Sequence, residues 1–240
     1  GDFVVSETGG VAASTDGKKL AFAAMGGLYL YDLESGNLTT LLDVAQNAGT
    51  ASIGISMLNG AAFAQDNSQI VFFGSGSSIP AVDGEDSFSI YGSIAVDGSG
   101  LKLTKPSGYE MEEMQSSASR LFFPQTFTQA DGTLLWVDRA TGSANTLSFS
   151  ASGEGKDGVY GSEQGNYVAT AVLGSNLTVR VYDVASGALV ATEVIENSDP
   201  TYFYRIPRIY LLDGAKTAVV VLGGSIDELD TLVSTFEFGA

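Results

Sequence analysis

The sequence predicts an all-β fold, a β-propeller of five four-stranded blades. Three observations carry that expectation. A short apolar strand recurs at near-constant spacing, an Asp-bearing turn recurs after the third strand of most units, and glycine turns separate the strands. The recurring strand is Leu20-Ala21-Phe22, then Ile70-Val71-Phe72, Leu121-Phe122-Phe123, Tyr167-Val168-Ala169 and Thr217-Ala218-Val219, at offsets of 50, 51, 46 and 50 residues. Repeats of roughly 40–50 residues are the mark of propeller blades.

The first unit sets the pattern. Val11 to Ser14 is a strand, and Thr15-Asp16-Gly17 is a turn. Lys18 to Ala24 is a second strand, and Met25-Gly26-Gly27 turns it back. Leu28 to Leu33 and Asn37 to Leu42, separated by Glu34-Ser35-Gly36, complete a four-stranded meander. Asp-Gly and Ser-Gly stand where hairpins need positive φ. Tyr31-Asp32 recurs as Val96-Asp97, Val137-Asp138 and Tyr182-Asp183, each followed by a glycine turn, with Phe236-Glu237 at this place in the fifth unit. A carboxylate there accepts backbone N–H groups of the turn. A metal or catalytic role is a poor reading, since no site needs repeating in every blade.

The second blade is expected from about Gly60 to Thr104, after a connector at 43–57, with a long loop from Gly74 to Ser87. The third covers about 115–149, after a connector at 105–117 in which Pro106 and Gly108 argue against more than one helical turn. Its third strand holds the sole tryptophan, Trp136, expected to pack between blades. The segment 150–158 reads as a polar, glycine-rich connector. It lacks the spacing and following helix of a phosphate-binding loop. The fourth blade is placed at about 159–195 and the fifth at about 207–238, where strands at 207–212, 216–222 and 231–238 leave the fourth strand missing. Asp2-Phe3-Val4-Val5-Ser6 is a spare strand, expected to pair as the outer strand of the last blade and remove exposed edges. The whole of 1–240 then reads as one propeller domain; six blades, or part of a larger propeller, is the alternative.

Composition narrows the function. The chain has no Cys and no His, which excludes Cys and His nucleophiles, the Ser-His-Asp triad and ordinary His or Cys zinc sites. Its net charge is −17 with 11 basic residues. Nucleic acid, bound mainly through phosphate contacts from Lys and Arg, is a poor partner, as is an anionic membrane. No apolar run is long enough to span a bilayer, and no signal-peptide pattern is visible.

Up-and-down strands place every connector, and every loop between second and third strands, on one face. Three patches there are candidates. Asp83, Glu85 and Asp86, with Asp227, Glu228 and Asp230, are the calcium candidates, although they lack the spaced acidic loop of a dedicated site. Tyr109 with Met111 and Met114 forms a soft apolar spot that serves a partner or covers the core edge. Tyr202, Phe203, Tyr204, Arg205 and Arg208 form the densest aromatic and basic patch, of the residue types enriched at interaction hot spots. Two sequons, at Asn37 and Asn176, are expected at comparable exposed turns.

Ser14-Thr15-Asp16-Gly17-Lys18-Lys19-Leu20-Ala21-Phe22, Leu28-Tyr29-Leu30-Tyr31-Asp32 and Asp97-Gly98-Ser99-Gly100-Leu101-Lys102-Leu103-Thr104 resemble the repeats of TolB-type propellers. Thr15 replaces the proline usual in that family. Tyr167-Val168-Ala169-Thr170 and the run from Gly174 to Thr192 resemble the YVTN repeats of surface-layer propellers. The resemblance covers about two thirds of the chain. It implies a periplasmic or surface-exposed protein that binds other proteins, and it carries no catalytic residues across.

The expectation is therefore a non-enzymatic, extracytoplasmic interaction or assembly module with a protein partner or copies of itself, without a cofactor beyond a weak Ca²⁺ possibility. Two alternatives stand beside it. One is a carbohydrate-binding or carbohydrate-cleaving propeller, which requires paired carboxylates at the channel mouth. The other is a structural subunit of a surface layer or filament.

Overall fold

The computed structural model describes residues 10–24, 26–46, 48–83, 87–111, 113–125, 132–150, 154, 155, 157–196, 207–223 and 231–239. Five antiparallel sheets follow one another along the chain, each a meander with its strands in sequence order. This is the blade repeat of a propeller, and the chain is an all-β propeller-repeat protein of five blades. Blade one is β1 (Val11–Ala13), β2 (Lys19–Ala24), β3 (Gly27–Asp32) and β4 (Leu38–Asp43). Blade two is β5 (Ile53–Phe63), β6 (Gln69–Ser78), β7 (Phe88–Ala95) and β8 (Lys102–Thr104). Blade three is β9 (Gln115–Ser116), β10 (Arg120–Phe123), β11 (Thr133–Asp138) and β12 (Ala144–Ser148). Blade four is β13 (Val159–Gly161), β14 (Tyr167–Leu173), β15 (Leu177–Asp183) and β16 (Leu189–Ile195). Blade five has three described strands, β17 (Arg208–Leu212), β18 (Thr217–Gly223) and β19 (Thr231–Glu237). The closing strand expected at residues 2–6 lies outside the described residues.

The chain forms two compact units, Gly1–Met114 with Arg139–Gly142, and Gln115–Asp138 with Ser143–Ala240. The first unit buries Leu28, Leu30 and Leu42 of blade one with Leu58, Phe63, Ile70, Phe72, Ile90 and Ile94 of blade two. In the second, Val179 and Val181 on β15 pack with Ile209, Leu211, Val220 and Leu222 of blade five. The next residue along, Tyr182, joins Phe122, Leu134 and Leu147 of blade three, with Trp136 partly buried against this cluster. Alternation along one strand thus serves two cores, because successive side chains leave opposite faces of a sheet. Each such apolar side chain contributes about 1.5–3 kcal/mol on burial. Trp136 packs between blades as expected.

The repeated turns are caps. Asp32 Oδ1 accepts from Ser35 N at 2.7 Å and Ser35 Oγ at 2.9 Å. Asp97 is held the same way by Ser99, and Asp183 by Ser186. The sequons are not comparable: Asn37 lies in the β3–β4 turn and Asn176 in the β14–β15 turn, at opposite ends of a blade.

Blade two departs from expectation at its start. Residues Ile53–Met57, read as connector, are strand continuous with Leu58, and so is Gly74–Ser78, read as loop; they pair with each other, Ile53 opposite Ser78 and Leu58 opposite Gly74. Glycine is what misled the reading. At Gly74 a Cβ would collide with the Met57 carbonyl, and at Gly76 it would lie 2.6 Å from Gly54 O. These glycines permit close backbone approach rather than a turn.

Candidate functional site

Among the described residues, two places hold chemistry beyond the blade repeat, one in each unit. The first is an arm on blade two. β5 and β6 are 11 and 10 residues long, whereas the second strands of the other blades have 4–7. The surplus lies at the end of β6 that leads into β7, and at roughly 3.3 Å per residue it lengthens the hairpin by about 10 Å or more. Its outer end is tied across: Ile79 N donates to Ser52 O at 2.9 Å. Beyond it the chain presents Ile79 and Val82, 44 % and 55 % exposed, with Asp83 exposed beside them. The connector after β8 is fastened next to the arm, since Met111 N donates to Ser89 Oγ at 3.0 Å and Ser89 pairs with Ser75 of β6.

The second place is a buried carboxylate. Glu154 sits in the connector between blades three and four with its side chain fully enclosed. Thr170 Oγ1 and Tyr182 OH, the latter at 2.8 Å, donate to Oε1. Arg180 Nη1 lies 3.4 Å from Oε2, with its own side chain 25 % exposed, and Ser150 Oγ is also 3.4 Å from Oε2. The alternation of β14 and β15 brings these groups together: Thr170 pairs with Arg180 in register, and Tyr182 follows two residues on along the same face. Burial raises the Tyr182 hydroxyl above its ordinary pKa; hydrogen bonds to Ser150 oppose this and the Glu154 carboxylate adds to it. Enclosed, with a hydroxyl pair, a further serine and a guanidinium around it, Glu154 fastens the connector to blade four.

A third relationship repeats through the blades. The first residue of each β-turn after the inner strand is buried: Ser14, Ala64, Ser117, Ser162 and Asp213. Tyr167 N donates to Ser162 Oγ at 3.0 Å as Lys19 N does to Ser14 Oγ at 2.9 Å. In the second unit these turns are linked from blade to blade: Ser117 Oγ donates to Ser162 O at 2.5 Å, and Ser162 Oγ to Asp213 Oδ1 at 3.1 Å. Asp213 Oδ2 also accepts Gln164 N at 2.9 Å.

The residues singled out from sequence fare differently. Tyr109 and Met111 are buried, 8 % and 7 % exposed, so they cover the core edge rather than face a partner. Arg208 is exposed at the start of β17. Tyr202, Tyr204 and Arg205 lie outside the described residues, as do Glu85, Asp86, Asp227 and Asp230 of the calcium candidates. Asp83 is exposed, and among the described residues no three His, Cys, Asp or Glu side chains cluster. Sequence reading passed over Glu154 as one polar residue in a glycine-rich connector. No local signal marks it, because all its partners but Ser150 stand 16–28 residues away on two strands.

No family model matches the chain, and no curated protein does. Among solved structures it is similar to hydrazine synthase of Kuenenia stuttgartiensis, at 14 % identity over 99 % of this chain and 65 % of that one, with a TM-score of 0.57. A chain in the crystal structure of the mitotic checkpoint complex matches at 11 % identity over 96 % and 64 %, TM-score 0.54. TolB from Acinetobacter baumannii matches at 17 % over 96 % and 54 %, TM-score 0.48. The expected likeness to TolB is thus present among solved structures. The chain spans 54–65 % of the length of these three matches. At such identities the likeness is one of fold. It nevertheless corrects one expectation: the protein had been read as non-enzymatic, yet hydrazine synthase is an enzyme that carries a similar fold. A propeller fold is therefore no argument against catalysis.

Proposed function

We propose that this protein is a protein-interaction module that works outside the cytoplasm, and that it engages its partner through the arm of blade two. The arm is the observation that carries this reading. Its strands run longer than those of the other blades, and it ends in exposed apolar side chains at a loop tip, where binding residues concentrate in rigid scaffolds. A fold shared with a chain of a multiprotein checkpoint complex supports an interaction role. The extracytoplasmic placement is supported by the repeats resembling those of TolB and surface-layer propellers. Among the described residues no helix is long and apolar enough to cross a membrane.

The test replaces Val82 with a photo-crosslinking benzoylphenylalanine and irradiates the protein with envelope and secreted fractions of its source. A discrete adduct that disappears in an Ile79→Ser background is expected. Adducts that are absent, or indifferent to Ile79, overturn the reading.

A further inference from the structure

We propose that Asn37 carries an N-linked glycan and that Asn176 does not. The inference rests on the extracytoplasmic placement, since Asn-x-Thr acceptors are used in proteins that leave the cytoplasm. Asn37-Leu38-Thr39 runs out of the β3–β4 turn into β4, and all three residues are exposed. Asn37 is held through its backbone, its N donating to Ser35 Oγ at 3.4 Å and its O accepting Asp32 N at 2.9 Å. The side-chain amide thus stands in solvent on a fixed turn, with exposed Thr39 two residues on. Asn176-Leu177-Thr178 matches the same motif without this access. Leu177 is fully buried, and Asn176 and Thr178 are half-buried. Thr178 pairs with Val172 on one side and Val194 on the other, within an inner strand of blade four.

A second observation points to a sugar at the same place. Among the described residues β4 ends its sheet, and edge strands need blunting by charge, proline or a cover. The other sheet-ending strands β8, β16 and β19 carry Lys102, Glu193 and Glu237. In β12 the sole large apolar residue, Leu147, is buried. β4 instead reads Leu38-Thr39-Thr40-Leu41-Leu42, with no charge before Asp43. Leu38 is exposed, and so is Leu33 across the turn. A glycan on Asn37 projects from this turn and covers both leucines and the start of the edge. Its transfer is a substitution at the sugar. Asn37 Nδ2 bonds to the anomeric carbon of a lipid-linked oligosaccharide, the anomeric C–O bond to the lipid phosphate breaks, and the lipid phosphate leaves as the amide gives up a proton.

The test recovers the protein from cytoplasmic, envelope and secreted fractions of its source and reads peptides spanning Asn37 and Asn176 by mass spectrometry. Most Asn37 peptides from outside the cytoplasm should carry a sugar mass increment, and Asn176 peptides none. Thr39→Ala, expressed in the source, should abolish the increment while Asn37 itself remains. Asn37→Gln should aggregate faster on heating than the glycosylated parent. Adding Leu38→Lys to it, which puts a charge on the edge, should restore the parent's rate. Bare Asn37 in protein recovered outside the cytoplasm overturns the inference and leaves the placement standing. Recovery from the cytoplasm alone overturns the placement, and the inference with it. Sugar on Asn176 as fully as on Asn37, or sugar on Asn37 that survives Thr39→Ala, also overturns the inference. Unchanged aggregation of Asn37→Gln overturns the role as an edge cover.

Discussion

Tyr182 donates its phenolic hydroxyl to Glu154 over 2.8 Å, inside the second unit and beneath the connector that carries Glu154. The two residues are 28 positions apart, and neither makes sense alone. A phenol buried at this depth needs a partner, and an enclosed carboxylate needs several.

Glu154→Ala should destabilise the second unit by about 3–5 kcal/mol, because it leaves Arg180 and the two hydroxyls facing an uncompensated void. Glu154→Gln keeps the shape and loses the charge, so its effect should be smaller. Urea unfolding followed by Trp136 fluorescence measures both, since Trp136 packs against the cluster that contains Tyr182. Equal stability of Glu154→Ala and the parent would remove the fastening role.

Tyr182→Phe should cost about 1–2 kcal/mol. Tyr182 also has a spectroscopic signature. Its pKa is raised in the folded state, chiefly by burial, so the unfolded chain ionises this phenol first. Its contribution to stability is complete below the ordinary tyrosine pKa and fades as pH rises past it. In a difference titration at 295 nm between parent and Tyr182→Phe, the missing phenol should be one that ionises late. An ordinary midpoint would contradict the enclosure.

The turn aspartates set the acid limb. Asp32 and Asp97 are held below the usual carboxylate range by the backbone and hydroxyl donors of Ser35 and Ser99. For Asp183, partial burial pushes upward, but the Ser186 bonds, the Ala185 N–H and the Arg120 charge together outweigh it. A lowered folded pKa means that the unfolded chain binds more protons, so these turns stabilise above the ordinary Asp pKa and lose that contribution as pH falls through their folded values. The combined variant Ser35→Ala, Ser99→Ala, Ser186→Ala should therefore lose less melting temperature than the parent between pH 5 and pH 3. Parallel curves would show that the caps do not titrate with folding.

Asp213→Ala should destabilise by about 1–3 kcal/mol, because Gln164 N and Ser162 Oγ lose their acceptor at a buried site. Hydrogen exchange at Gln164 N should rise in this variant and stay slow in Asp213→Asn, which keeps an acceptor oxygen.

Gly74→Ala should disturb the arm before it disturbs the blades, since the added Cβ meets the backbone carbonyl of Met57 rather than a movable side chain. Amide exchange should quicken along Ile53–Leu58 and Gly74–Ser78 while the blade-one strands hold. Unchanged exchange there would mean that the close approach is slack.

Much of the fold could be read from residues alone. Apolar strands at near-constant spacing, with Asp, Ser and Gly at the turns, are local signals, since side-chain alternation and positive φ depend only on near neighbours. The second strands fall where the repeat places them, and Asp32, Asp97 and Asp183 cap the turns they were expected to cap. Tertiary structure decided the rest. The arm was hidden because glycines that admit close backbone approach look the same, in sequence, as glycines that make turns. Tyr109 was ambiguous because exposure depends on what packs over a residue. Glu154 was silent because its burial and its partners are set by strand register across a blade, a long-range property that no short window of sequence contains.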